Sequence, residues 1–268
     1  MTPRAGVRFR DLAAAELRKA VTLPAVRAAV LGTVAGSAGL AALNAVGARG
    51  ALGAGAAGAG PVPSAFDIAY TAAPLGAAGA VVLGVVAMSS EYAASSADAG
   101  GGRQVTATLT AAPGRLGVLG AKALVVALVV ATTAVLAIGA CRAVATLVLG
   151  DAAAEAVGLR EAVLRTAGAA LYWTLTALIA LAVTVLTRGG TLPLVLLVAN
   201  GSLVSFSLLL SRVTPWAYWL PDLAGRRLYG GLTTVPGGPD AVTGAWVMTA
   251  WTAALLAVAG LVLARRDA

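Results

Sequence analysis

Few residues in this chain are equipped for chemistry. It holds no histidine and a single cysteine, Cys141. That excludes an internal disulfide, a Cys/His zinc site and a Cys/His or Ser/His nucleophilic pair. No catalytic pair of carboxylates and no metal-ligand cluster stands out, so the sequence reads as a non-enzyme that needs no cofactor. Gly53-Ala-Gly-Ala-Ala-Gly58 fits G-x-G-x-x-G. A dinucleotide fingerprint, however, needs a strand before it and a helix after it. Here the match falls in a Gly/Ala-rich loop between apolar runs and is set aside. The phosphate-cradling pattern G-x-x-x-x-G-K-[ST] is missing from the sequence, so ATP energy would have to be supplied by another chain.

The remaining polar features stand at the edges of apolar runs or alone inside them. Glu16, Arg18 and Lys19 precede the first run, and Glu91 with Tyr92 follows the second. Arg103, Pro113 and Arg115 lead into the third. Asn200-Gly-Ser202 matches a glycosylation sequon but lies within an apolar run, where no surface enzyme reaches it. Asn200 is better read as an intramembrane polar residue that bonds another helix or lines a cavity. Gly32 and Gly36 form a G-x-x-x-G pair that permits close helix packing or dimer contact.

These residues must be positioned by a scaffold that lipid covers. The chain has 268 residues, 59% hydrophobic and only 11% charged, with a mean hydropathy of +0.90. Soluble domains carry about 25% charged residues. The net charge is +8. Its basic residues sit between apolar runs, where topology and anionic headgroups account for them and a nucleic-acid surface does not.

Six apolar runs are long enough to cross ~30 Å of hydrocarbon. They cover about 28–47, 71–89, 123–141, 166–187, 189–211 and 244–264. Barrel strands would be ~10 residues with alternating polarity, and these runs are longer and apolar on every face. The expectation is a single all-α transmembrane domain over 1–268, a polytopic integral membrane protein with six spans. With the amino terminus inside, twelve basic and five acidic residues leave +7 on the inner side. Seven basic and six acidic leave +1 outside. The positive-inside rule therefore puts both termini in the cytoplasm and the protein in the cell membrane.

Residues 4–23 are too charged to span. Phe9, Leu12, Ala13, Leu17, Ala20 and Val21 recur at helical spacing, which predicts an amphipathic helix in the inner interface, with Pro24 at the turn into the first span. Segment 90–122 is the longest inner loop. Outer segment 212–243 crowds Pro215, Trp216, Tyr218, Trp219 and Pro221 together, as a re-entrant or interfacial piece would. No acidic residue falls inside a predicted span, which argues against a proton relay or an ion-coupled carrier.

Two stretches carry a resemblance. Ala15-Glu-Leu-Arg-Lys-Ala-Val-Thr22 precedes the first span. Glu91-Tyr92, Thr106-Ala-Thr-Leu-Thr-Ala-Ala-Pro113, Arg115 and Ala121-Lys-Ala-Leu124 follow the second. With the basic ending at Arg265 and Arg266, this arrangement resembles the permease subunits of type-2 ABC transporters. Three departures are visible: Ala93 stands where the family usually has a basic residue, a stretch around Ser95 to Gly102 is added, and some basic positions near Pro113 are neutral, such as Gly114. The resemblance implies a subunit of an ATP-driven exporter, paired with a second copy or a sister permease and with separate ABC ATP-binding subunits. It implies that Glu16, Arg18, Lys19, Glu91, Tyr92, Arg103, Pro113 and Arg115 couple to the ATPase. The apolar mid-membrane faces suit a hydrophobic or lipid-like substrate or drug. The alternative is a non-transporting scaffold or immunity subunit with the same fold.

Overall fold

Long Ala, Leu and Val runs offer the backbone no polar competitor, and in lipid every N–H and C=O must be paired within the segment. The computed structural model describes residues 8–53, 64–92, 114–150, 157–203, 205–229 and 237–265, and all their regular structure is helical. α1 spans Phe9–Thr22 and α2 Pro24–Gly53, with Pro24 opening α2. A short α3 (Ala65–Tyr70) leads through a turn into α4 (Ala73–Tyr92). α5 covers Arg115–Leu149 and α6 Leu159–Thr187. Arg188 closes α6 in the left-handed region at φ 53°. α7 (Thr191–Val198) is followed by a π-helical turn at Ala199–Leu203 and by α8 (Phe206–Ser211). Pro215–Trp219 forms a 3-10 turn, α9 covers Pro221–Ala224, and Gly225–Tyr229 forms another 3-10 turn. α10 is Ala241–Arg265.

Five helical stretches are long and apolar enough to cross a membrane: Pro24–Gly53, Ala65–Tyr92, α5, α6 and α10. The chain is thus an all-helical protein with multiple candidate membrane spans. The run expected as one span over 189–211 is not one helix. Asn200 and Gly201 stand at the π turn, where the Asn200 side chain bonds Ser207 and Asp222 instead of packing along its own helix. Ser205 then caps α8 by accepting a bond from the Leu208 N–H. α2 and α5 outrun the expected spans: α2 stays helical through its Ala/Gly-rich end, and α5 continues past Lys122 and Arg142, whose charges set the expected limits. α5, with 35 residues, is about 52 Å long at 1.5 Å per residue and overreaches a bilayer core.

α6 is the hub. It packs against α4, α5 and α10, and 61% of its apolar window is buried, against 22% in α2 and in α10. Small residues let α4 approach it closely. A Cβ on Gly84 would stand 2.1 Å from the Ala177 carbonyl oxygen, and one on Gly76 would strike the Trp173 ring at 1.8 Å. Bonds mark the two ends of the bundle. At the end carrying α1, Arg115 Nη1 donates to the Leu263 carbonyl at 2.9 Å. At the opposite end, Arg165 Nη1 pairs with Asp67 at 2.8 Å and the Tyr70 hydroxyl donates to the Arg165 carbonyl at 2.6 Å. The segment from Gly190 starts against Ser89 and Val85, towards the α1 end. It finishes where Leu228 meets Gly168, and α10 starts against Ala224 at Gly244.

Candidate functional site

At the α1 end four charged side chains from three helices meet. Helical spacing puts Leu12, Glu16, Lys19 and Leu23 on the face of α1 that looks into the bundle, and Leu12 lies against Gly117 of α5. Lys122 extends from α5 towards this face and bonds Glu16 Oε2 at 2.5 Å. It also pairs with Glu91 Oε1 of α4 at 3.0 Å. Lys19 closes the array by bonding the same Glu91 oxygen. Glu91 is 2% exposed and Lys122 3%. Two carboxylates and two ammonium groups make the cluster neutral, which is the condition for charges to persist where water is largely excluded. A cavity of about 30 Å³ beside it is lined by Glu16, Lys19, Ser90 and Lys122, with Leu23, Val26 and Val126 among its apolar walls.

The cluster ties α1 to the end of α4 and to the first turns of α5. Those are the two flanks of segment 93–113, which lies outside the described residues with Arg103 and Pro113. Arg115, just beyond it, is fixed to the end of α10. Of the expected coupling residues, Glu16, Lys19 and Glu91 therefore form one internal cluster. Arg18 is exposed on the far face of α1, and Tyr92 is half-buried against the core. Lys122 was read as the edge of a span and as part of the Ala121–Leu124 stretch, not as a coupling residue, although it bonds both carboxylates. Its signal was position: a lysine next to an apolar run, with unmatched acids at two other run edges. Phe9, Leu17 and Val21 are exposed, so α1 keeps an apolar stripe beside its cluster face.

A second polar group lies deeper in the bundle. Asn200 Nδ2 donates to Asp222 Oδ2 at 3.0 Å, and the Tyr172 hydroxyl donates to the Asp222 backbone carbonyl at 3.5 Å. Asp222 lies outside the six apolar runs, as expected from the sequence, but its carboxylate bonds a residue inside one of them. The chain folds it back between α6 and α10. Gly225, three residues on, is seated against Tyr172 and Met248. The glycine pair on α2 stays unpartnered: nothing lies within 4 Å of a Cβ on Gly32, and only Leu75 approaches one on Gly36, at 3.7 Å.

At the opposite end Arg165 pairs with Glu161 at 2.5 Å as well as with Asp67, and it lies 5.9 Å from the Phe66 ring centre. Ser64 caps α3 by accepting from the Asp67 N–H at 3.1 Å. Arg49 Nη1 donates to the Val148 carbonyl at 2.6 Å, joining α2 to the end of α5. Among the described residues no group of three or more Cys, Asp or Glu side chains could hold a metal ion. No protein-family model matches the chain, and no curated protein matches it either.

Proposed function

We propose that this chain is the membrane-spanning subunit of an ATP-driven exporter, in which α1 and segment 93–113 receive a separate ATP-binding subunit on the cytoplasmic side. The observation that carries the reading is the Glu16–Lys122–Glu91–Lys19 cluster. A helix held rigidly to both flanks of segment 93–113 makes a mechanical unit. A force applied to α1 or to that segment moves α4 and α5 together. Buried charge pairs suit this task, because they fix orientation more than they add stability.

A sixth crossing belongs to the same proposal. The segment from Gly190 begins against Ser89 at the α1 end, and α10 begins at the other end. α7, the π turn and α8 would make that passage as a broken helix, whose break is held by the Asn200 bonds to Ser207 and Asp222, side-chain partners of the kind that let a spanning helix be interrupted. Six crossings then leave both termini in the cytoplasm, in agreement with their positive charge. The exposed faces of α2 and α10, with Gly32 and Gly36 on α2, are where a second copy or sister permease would pack. The apolar character of those faces favours a hydrophobic or lipid-like substrate moving between the two.

The test is purification of the tagged full chain in mild detergent from its own host, with identification of what comes with it. The exporter reading expects a stoichiometric ATP-binding subunit whose ATPase rate changes with the permease present. Recovery without any ATP-binding subunit, even with a non-hydrolysable nucleotide present, would favour the non-transporting scaffold.

A further inference from the structure

A cavity of about 80 Å³ lies where α4, α6, the π turn, α9 and α10 converge. Val81, on its wall, is eight residues along α4 from Ala73, or about 12 Å by helical rise, so the cavity reaches the middle of α4, with exposed Gly201 at its rim. Most of the wall is apolar, including Ala77, Val81, Ile179, Leu197 and Met248. Its polar groups come from three elements: Asp222, Asn200, and Tyr172 with Thr176. Asn200 ties up Asp222 Oδ2 and leaves Oδ1 with no hydrogen bond among the described residues. Thr176 Oγ1 is buried without a hydrogen-bond partner there. The fold therefore brings one carboxylate and acceptor oxygens into a small apolar chamber. Asp222 is half-buried beside these apolar walls, where a cationic complement is favoured over leaving the carboxylate unpaired, and an ionisable side chain within a membrane bundle marks a functional site by default. Arg226, four residues after Asp222, contributes positive potential at Tyr172.

We infer that this chamber binds a small primary ammonium compound, with its –NH3+ group on Asp222, the Thr176 hydroxyl as a second acceptor, and its short alkyl part against Met248, Ile179 and Leu197. The cavity volume excludes a drug-sized molecule, and the apolar wall favours an alkylammonium over a bare metal ion. The inference is independent of the exporter reading, because it needs neither an ATPase nor a second permease.

The test follows thermal unfolding of the purified full chain in detergent by tryptophan fluorescence. Methylammonium chloride is titrated against sodium chloride and choline chloride at matched ionic strength. The expected result is a saturable rise in Tm with methylammonium alone, lost in Asp222→Asn and weakened at least several-fold in apparent affinity in Thr176→Val. Thr176→Val keeps the wall shape, so it carries the test even where Asp222→Asn does not fold. Equal responses to the three salts, a response to sodium alone, or a methylammonium shift unchanged in Thr176→Val would each overturn the assignment. So would a flat response, which would leave Arg226 as the sufficient counter-charge.

Discussion

Glu91 of α4 accepts a bond from Lys122 of α5 at 3.0 Å, and both side chains are almost completely buried. The same Glu91 oxygen holds Lys19 of α1. One carboxylate thus joins three helices. Removing it leaves two ammonium groups without their shared partner. Glu91→Ala should cost about 3–5 kcal/mol, as for other buried pairs broken on one side. Glu91→Gln, which keeps a hydrogen-bonding oxygen, should cost less. Combining Glu91→Ala with Lys122→Ala should cost clearly less than the two single changes added. Denaturant unfolding of the purified variants reads all three. Additive losses would mean that the pair is not coupled.

The α4–α6 contact is steric. Gly84→Leu would drive a side chain into the Ala177 backbone and should prevent folding or lower Tm by many degrees. Gly32→Leu meets open space and should leave the Tm of the single chain unchanged. If α2 is a contact between two permeases, Gly32→Leu and Gly36→Leu should instead reduce the crosslinked dimer. Thermal unfolding and crosslinking, run side by side, separate the two effects.

Arg165 pins α3 to α6 through Asp67, beside Glu161 and the Phe66 ring. Its side chain is 20% exposed, so solvent screens part of the gain. Arg165→Ala should cost about 1.5–3 kcal/mol, in the range of hydrogen bonds to charged groups. Arg165→Lys should recover only part of this, because an ammonium cannot reproduce the planar fork shared between Asp67 and Glu161. The loss should shrink in high salt, and urea unfolding at two ionic strengths checks it.

Helix content was legible because the runs are long and uniformly apolar, and α1 because Phe9 to Val21 alternate apolar and charged positions at helical spacing. Pro24 correctly marked where one helix hands over to the next. The break in the 189–211 run was hidden, since only Asn200 and Gly201 hint at it and hydropathy averages over them. What turns the chain there is a partner distant in sequence, Asp222. The charged cluster was half visible. Glu16, Lys19 and Glu91 were singled out by their motif, as residues that would face a partner. Their burial together with Lys122 depends on contacts across more than seventy positions, and no local pattern encodes those.

In the exporter reading the α1 end receives an ATP-binding subunit, and the cluster holds the receiving surface. Arg18 is exposed on the face of α1 opposite the cluster, and Leu159 is exposed at the other end of the bundle. A photo-crosslinking residue at each position, irradiated in native membranes, tests this directly. The exporter reading expects an ATP-binding protein attached at position 18, none at position 159, and a weaker adduct at 18 when Glu91 is replaced by Ala. No ATP-binding protein at position 18, or the same one at position 159, would contradict it.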